Sequence, residues 1–106
     1  MFGKLEKTYR RTLIYLSRIN ILLCKIDTDE EIPLKVANVN NRNKSEDGPG
    51  ESENIIFQFC VCSSILKETV IDKNDSITMD GRSYSVISCV PDFIGSKVVS
   101  YRVSVR

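Results

Sequence analysis

The side chains that most often carry catalysis or metal binding are scarce in this chain. It contains no histidine, so the commonest general base and metal ligand is missing and a hydrolytic triad would need an unusual base. Its cysteines, Cys24, Cys60, Cys62 and Cys89, include no Cys-x-x-Cys pair of the kind that binds structural zinc. We therefore expect reduced cysteines that pack as small hydrophobic residues, with no metal, no cofactor and no catalytic residue.

The carboxylates occur in short polar segments between apolar runs. Two of these segments, 27–31 and 72–75, are distantly similar to calcium-binding loops. Neither has the central glycine and the twelfth-position glutamate that an EF-hand requires, so we predict solvated turns at both places. Glycine-rich phosphate-binding motifs are also absent from the sequence. The sequence thus predicts a protein that acts by binding, not an enzyme.

Size and composition are those of one globular domain. A chain of 106 residues buries roughly 65% of the surface that it exposes when unfolded, which is enough for one core. The formal net charge of +1 gives no general affinity for nucleic acids or membranes. The most apolar window, 12–26, is interrupted by Arg18 and Asn20, and it is shorter than the ~20 residues of a bilayer span. We expect a single domain, 1–106, with no membrane segment and no secretion signal.

Residues 2–18 are predicted to form an amphipathic helix. Apolar side chains recur there at steps of three and four residues, with basic side chains between them. The apolar positions are Phe2, Leu5, Tyr9, Leu13 and Leu16. Two interpretations are open: a lid that packs on the rest of the domain with its cations in solvent, or a basic surface that faces a partner.

After the helix, the hydrophobic period changes to that of β-strands. Residues 20–37 are predicted to form an antiparallel strand pair that is joined by the polar segment 27–31. Pro33 lacks an amide donor, so we expect it at a sheet edge or at the start of its strand. The next segment, 38–53, contains Val39 as its one apolar residue. Such a segment cannot bury enough surface to offset its ordering entropy, and we predict a flexible polar loop.

The segment 54–106 is predicted to supply the core strands of the domain. Its first strand alternates with the aromatic residues Phe57 and Phe59 on the core side, and a short helical stretch follows at 63–69. A hairpin is predicted at Asp80-Gly81, a turn at 91–96 and a last strand at the C-terminus. About six strands with closely spaced turns predict a mainly β fold, a small antiparallel barrel or sandwich.

A pattern in the second half of the chain resembles a known protein family. A Phe-x-Val strand leads to a short helix, followed by an Asp-Gly hairpin, a Tyr-x-Val strand and Val-Pro-Asp. The matching residues are Phe59, Val61, Asp75, Ile77, Met79, Asp80, Gly81, Tyr84, Val86, Val90, Pro91 and Asp92. This order resembles the small head–tail joining proteins of long-tailed bacteriophages, also called head completion or stopper proteins, and especially the lambda-like group. Cys62 and Ser63 depart from the family, which often has a charged residue there.

The resemblance implies a structural virion protein without catalysis. In that family, six subunits form a ring that joins the portal or adaptor of the head to the tail, and DNA passes only as cargo. The protein would be located in the virion and assembled in the cytoplasm of the host bacterium. The family's polar loop and chain ends face its partners. The candidate partner-binding residues are therefore Arg10, Arg11, Arg42, Lys44, Glu46 and Asp47.

Two other functions are compatible with the same pattern. One is a small β-barrel binding module, for example an OB-like adaptor for a peptide or a nucleic acid. The other is a completion protein on the tail side of the joint. For nucleic acid the sequence support is weak, because the basic residues lie on the helix without interleaved aromatics and no RNP-like motif occurs.

Overall fold

The computed structural model describes residues 2–41 and 55–106, and within them the chain forms two helices and six strands. The helices are α1 (Phe2–Leu16) and α2 (Ser63–Leu66). The strands are β1 (Ile19–Cys24), β2 (Glu31–Asn41), β3 (Phe57–Cys62), β4 (Ser76–Met79), β5 (Arg82–Ile94) and β6 (Lys97–Val105). The predicted mainly β fold is confirmed.

The strands close into an antiparallel barrel in the order β1-β2-β3-β6-β5-β4. The short β4 completes the circle, because it pairs with β1 on one side and with β5 on the other. Closure gives most of the backbone donors and acceptors a partner strand and so removes the edges that an open sheet would expose. Of the two predicted architectures, the structure is the barrel.

Alternating side chains of β3 and β6 fill the barrel. Phe57, Phe59 and Val61 are buried on its inner face, as the alternation of the sequence predicts. The ring of Phe57 packs edge-on against Tyr84, with 4.7 Å between the ring centroids. The outer face of the same strands carries polar or small side chains, and one of these, Ser100, is fully buried because α1 covers it.

The strand β2 is longer than the sequence pattern predicts. Residues 38–41, which we predicted to belong to the polar loop, continue β2 and pair with β3 as far as Asn41↔Phe57. The register shifts between Ala37 and Asn40, and Asn38 has a φ of 56° there. An asparagine tolerates this left-handed conformation, and the extra residue forms a β-bulge. The loop prediction was wrong here because β3 supplies backbone partners that side-chain composition does not reveal.

The turn that we predicted at 91–96 is also shorter than expected. Strand β5 continues to Ile94, and the chain reverses at Gly95, where φ is 66°. Pro91 therefore lies inside a strand, opposite Tyr101. Because β5 pairs with β4 only from Arg82 to Ser85, it has one strand neighbour at Pro91, and a missing amide donor is tolerated.

The hairpin between β4 and β5 forms at Asp80-Gly81, as predicted. The pair Met79↔Arg82 closes a two-residue loop in which φ is 54° at Asp80 and 80° at Gly81. Two positive φ angles are the requirement of a type I′ turn, whose twist matches that of the strands it joins.

Replacing Gly81 with alanine should lower the free energy of unfolding by about 1 kcal/mol, because an L-residue in the left-handed region costs about 1–2 kcal/mol. The added Cβ would meet no heavy atom within 4 Å, so the cost arises from the backbone alone. The matched control is Gly3→Ala, whose Cβ is equally unhindered but lies in α1; it should be neutral or slightly stabilising. Urea unfolding of both variants tests this, and equal stabilities would contradict it.

Candidate functional site: the surfaces around helix α1

Helix α1 lies on the outer face of the barrel. Leu13 is buried there and packs with Ala37 of β2 and Cys62 of β3. One turn earlier, the hydroxyl group of Tyr9 is 3.2 Å from the hydroxyl group of Ser100 on β6. The helix is thus docked through its middle, as the lid interpretation predicts.

The side of α1 that faces the barrel differs in part from the predicted stripe. Tyr9 and Leu13 lie at the interface as expected, but Leu5 is 56% exposed and Leu16 is 47% exposed. Ser17, just past the helix, is buried instead and donates a hydrogen bond of 2.7 Å to the carbonyl oxygen of Leu13. The prediction was wrong for Leu5 and Leu16 because α1 is rotated so that the side carrying Arg10, Leu13 and Ser17 faces the barrel, and Leu5 and Leu16 point away from that side. Apolar side chains are consequently left on the outside of the domain.

The two arginines predicted to bind a partner have different environments. Arg10 donates a hydrogen bond of 2.9 Å to the carbonyl oxygen of Val98 and lies 3.1 Å from the carboxylate of Glu6. Arg11 is exposed. The guanidinium of Arg10 therefore attaches α1 to β6, whereas Arg11 is available at the surface. A role in partner binding stays a prediction for both.

The other candidate residues, Arg42, Lys44, Glu46 and Asp47, lie outside the described residues. Their role also stays a prediction.

A groove of about 340 Å³ lies beside the C-terminal half of α1. Its lining combines apolar side chains of both helices and of β2 with one lysine. The lining side chains include Ile14, Ser17, Pro33, Leu34, Lys35 and Ile65. The apolar stripe predicted for the helix does not indicate this groove. Ile14, an apolar residue outside the predicted stripe, is the signal that could have indicated it.

A second exposed apolar surface lies on the hairpin that joins β5 and β6. The pairing of β6 with β3 ends at Ser100, so the hairpin extends past β3. Phe93 is 57% exposed on this extension, and Val90 is 45% exposed. An exposed aromatic side chain on a projecting hairpin is suited to anchor a protein contact.

The segment 72–75, predicted as a solvated turn, contains the one fully buried carboxylate among the described residues. The Nζ of Lys25 lies 2.6 Å from the Oδ2 of Asp75 and 3.0 Å from the Oδ2 of Asp72, and it donates a hydrogen bond of 2.6 Å to the carbonyl oxygen of Val70. Asp75 is 0% exposed and also accepts hydrogen bonds from the amides of Ile26 and Asp72. The solvated-turn prediction was wrong for Asp75, because its partner Lys25 lies fifty residues earlier.

The hydrogen bonds of this ion pair keep both of its groups charged. Burial alone would raise the pKa of Asp75, but the hydrogen bonds from Lys25, Ile26 and Asp72 outweigh burial and hold that pKa below its ordinary value. Burial alone would lower the pKa of Lys25, but its hydrogen bonds to Asp75 and Asp72 outweigh burial and raise that pKa. Both groups are therefore charged over a wide pH range, and they fasten the connection before β4 to the end of β1.

The cysteines form no disulfide bond. Burial raises the pKa of the Cys89 thiol to about 11, and it also raises the pKa of Cys60. Thiols with raised pKa values hold little thiolate at neutral pH and are weak nucleophiles. Within the described parts of the chain, no three His, Cys, Asp or Glu side chains are grouped so that they could hold a metal ion.

No helix in the described ranges is both long and apolar enough to cross a membrane. A scan against protein-family models finds no matching family, and a search of curated proteins finds no matching protein. By its fold, the protein is a small closed β-barrel with a helix packed on its outer face.

Proposed function

We propose that this protein is a structural connector of a bacteriophage virion, a ring-forming subunit that joins the portal or adaptor of the head to the tail. The observation that carries the proposal is that the resembling residues fall on consecutive elements of one barrel. The Asp-x-Ile-x-Met-Asp-Gly segment comprises Asp75, the strand β4 and the turn of its hairpin with β5. Val90, Pro91 and Asp92 lie further along β5. The resembling pattern is therefore a continuous part of the fold.

The surfaces of the domain support the same function. Exposed apolar groups lie at two separate places, at the groove beside α1 and at Phe93 on the projecting hairpin. A subunit that touches neighbours within a ring and also a partner above or below it needs more than one such surface. Both surfaces belong to one closed barrel with its docked helix, a frame that holds them at a fixed separation.

The genes next to this one provide the first test. We expect portal, capsid and tail genes beside it. In that phage, interrupting the gene should leave DNA-filled heads and finished tails unjoined in electron micrographs. Adding the purified protein to such an extract should restore joined particles. Complete particles without the protein would contradict the proposal.

Variants at the hairpin test the surface. Phe93→Ala should reduce the yield of joined particles, whereas Arg82→Ala, at the other end of β5, is a matched surface change that should not. A gel-shift measurement with a labelled oligonucleotide at physiological salt distinguishes the connector from a small binding module. If the protein shifts the oligonucleotide and has no effect on particle joining, the binding module is favoured instead.

A further inference from the structure

The β1–β2 hairpin has surfaces of opposite charge at its two ends. At one end lies the groove beside α1, with Lys35 in its lining. At the other end lies the connection between the strands, residues 25–30, followed by Glu31. We call the first surface the basic groove and the second, residues 26–31, the acidic turn.

The basic groove has apolar walls and one exposed cation, Lys35, in its lining. Ile14 is 45% exposed at its wall, and Pro33 and Lys35 are exposed on the β2 side. Arg18 lies outside the lining, but it is exposed and follows the lining residue Ser17 in the sequence, and its guanidinium is 5.0 Å from the centre of the Tyr15 ring. A groove with this combination favours an apolar side chain that is flanked by carboxylates.

The acidic turn has that chemistry. Ile26 is 63% exposed, and four exposed carboxylates follow it within the turn. These are Asp27, Asp29, Glu30 and Glu31. The charge of Lys25 does not neutralise them, because its ammonium group is turned inward to Asp75 and Asp72.

The acidic turn is also held in one shape. The amide of Lys25 donates to the carbonyl oxygen of Glu30 at 2.9 Å, and the amide of Asp29 donates to the carbonyl oxygen of Lys25 at 2.9 Å. The amide of Ile26 donates to the buried carboxylate of Asp75 at 3.0 Å. A turn that is already ordered loses little entropy when it docks, which favours its use as a contact surface.

The two surfaces cannot meet within one molecule. The pair Asn20↔Lys35 lies at the groove, and the pair Cys24↔Glu31 lies at the acidic turn. Four residues of strand separate them, about 13 Å at 3.3 Å per residue. That separation exceeds the Debye length of about 8 Å at physiological salt, and a paired strand cannot fold back on itself. The opposite charges of these two surfaces therefore do not neutralise each other within one molecule, and each can face a second molecule.

We propose that the basic groove binds the acidic turn of a second copy of this chain, with Ile26 inserted between Ile14 and Pro33. The carboxylates of the inserted turn then lie against Arg18 and Lys35. This inference deepens the proposed function and rests on it, since a ring needs a contact between two different surfaces of identical subunits. Such a heterologous contact repeats from copy to copy and closes when the rotation allows it.

A charge-exchange experiment tests the contact with purified protein alone. One variant carries Arg18→Glu and Lys35→Glu, and the other carries Glu30→Lys and Glu31→Lys. Sedimentation velocity from micromolar to millimolar protein should show salt-sensitive self-association of the wild type. Each variant alone should associate at least about tenfold more weakly, because like charges then face each other. An equimolar mixture of the two variants should recover association, because both kinds of contact in the mixture pair opposite charges.

A matched control keeps the net charge change and moves it elsewhere. Lys4→Glu with Lys7→Glu reverses two exposed cations near the start of α1, and this variant should associate as the wild type does. If the groove variant does not fold, the neutral double variant Arg18→Gln with Lys35→Gln replaces it. This variant should associate more weakly than the wild type but more strongly than a charge-reversed variant.

Three results would overturn the inference. They are a wild type that is monomeric throughout at low salt, a mixture that is no better than its components, and a control that loses association equally. None of these measurements uses heads or tails, so they are independent of the particle-joining test. If the protein restores joined particles but shows none of the expected self-association, the proposed function stands and this contact is wrong.

Discussion

Replacing Asp75 with asparagine should lower the free energy of unfolding by about 3 kcal/mol or more. The ammonium group of Lys25 then stays largely buried without the charge of its buried partner, and only the exposed Asp72 remains beside it. Asp75 is 0% exposed, and its two carboxylate oxygens accept from Lys25, Ile26 and Asp72. An asparagine has one acceptor oxygen where the carboxylate has two, and its amide group would point donors at donors. Urea unfolding followed by circular dichroism measures the loss.

Asp72→Asn is the matched control, since it removes a carboxylate from the same lysine. The Asp72 side chain is 55% exposed, so water replaces what it contributes. Its loss should cost no more than about 1 kcal/mol. If the two variants are equally stable, the buried pair does not have the weight that its geometry indicates.

A third variant separates the pair from its packing. Lys25→Met with Asp75→Leu replaces the ion pair by apolar groups and leaves no unpaired charge in a buried position, although the amides of Ile26 and Asp72 lose their acceptor. It should be more stable than Asp75→Asn, because a buried pair that is replaced as a unit costs far less than one that is broken.

The same pair determines how stability depends on pH. The lowered pKa of Asp75 makes its contribution fully present above its unfolded value, near pH 4, and this contribution is lost as the pH falls through the folded pKa. The raised pKa of Lys25 makes its contribution fully present below about pH 10, and this one is lost as the pH rises through the folded pKa. The stability difference between wild type and Asp75→Asn should therefore be constant near neutral pH and shrink below about pH 4. A difference that persists in acid would contradict the assignment.

Replacing Phe59 with alanine should cost about 3–5 kcal/mol, the range for removing a large aromatic side chain from a packed core. Phe59 is 0% exposed and belongs to the main cluster of the barrel interior, beside Phe57 at a centroid distance of 6.2 Å. The barrel wall is paired on all sides, so it cannot collapse into the space that is left. Thermal unfolding should show a strongly lowered midpoint.

Phe93→Ala is the control with the same chemical change. Phe93 is 57% exposed on the β5–β6 hairpin, so its loss should change stability by less than about 1 kcal/mol. The pair of variants therefore separates stability from binding. Phe59→Ala should unfold the domain easily, whereas Phe93→Ala should leave the fold intact and reduce particle joining. Equal destabilisation by both would show that the hairpin packs on the core.

The sequence pattern predicts the local features of this fold well. Alternation places Phe57, Phe59 and Val61 on the inner face, and Asp80-Gly81 marks a two-residue hairpin. These predictions hold because the period of a strand and the φ angles of a type I′ turn are properties of a few neighbouring residues. The prediction of a mainly β domain with about six strands rests on the same local signals.

Other features of the fold depend on contacts between residues that are distant in the sequence, and only the tertiary structure decided them. Asn40 and Asn41 belong to β2 because β3 offers them a backbone partner, although their side chains favour a loop. Asp75 is buried because Lys25, fifty residues earlier at the end of the neighbouring strand β1, neutralises it. In both cases, a pairing energy between separated segments outweighs the preference of the segment itself.

The exposed surfaces depend on packing in the same way. The helical period of α1 follows from the sequence, but its apolar side chains outnumber the positions that the barrel can cover. The docking angle therefore decides that Leu13 is buried and that Ile14 remains at a groove. The sequence by itself determined that this protein is a small β-domain without histidine. Only the tertiary structure decided which of its apolar and charged groups remain available for binding, because burial depends on contacts that form across the whole chain.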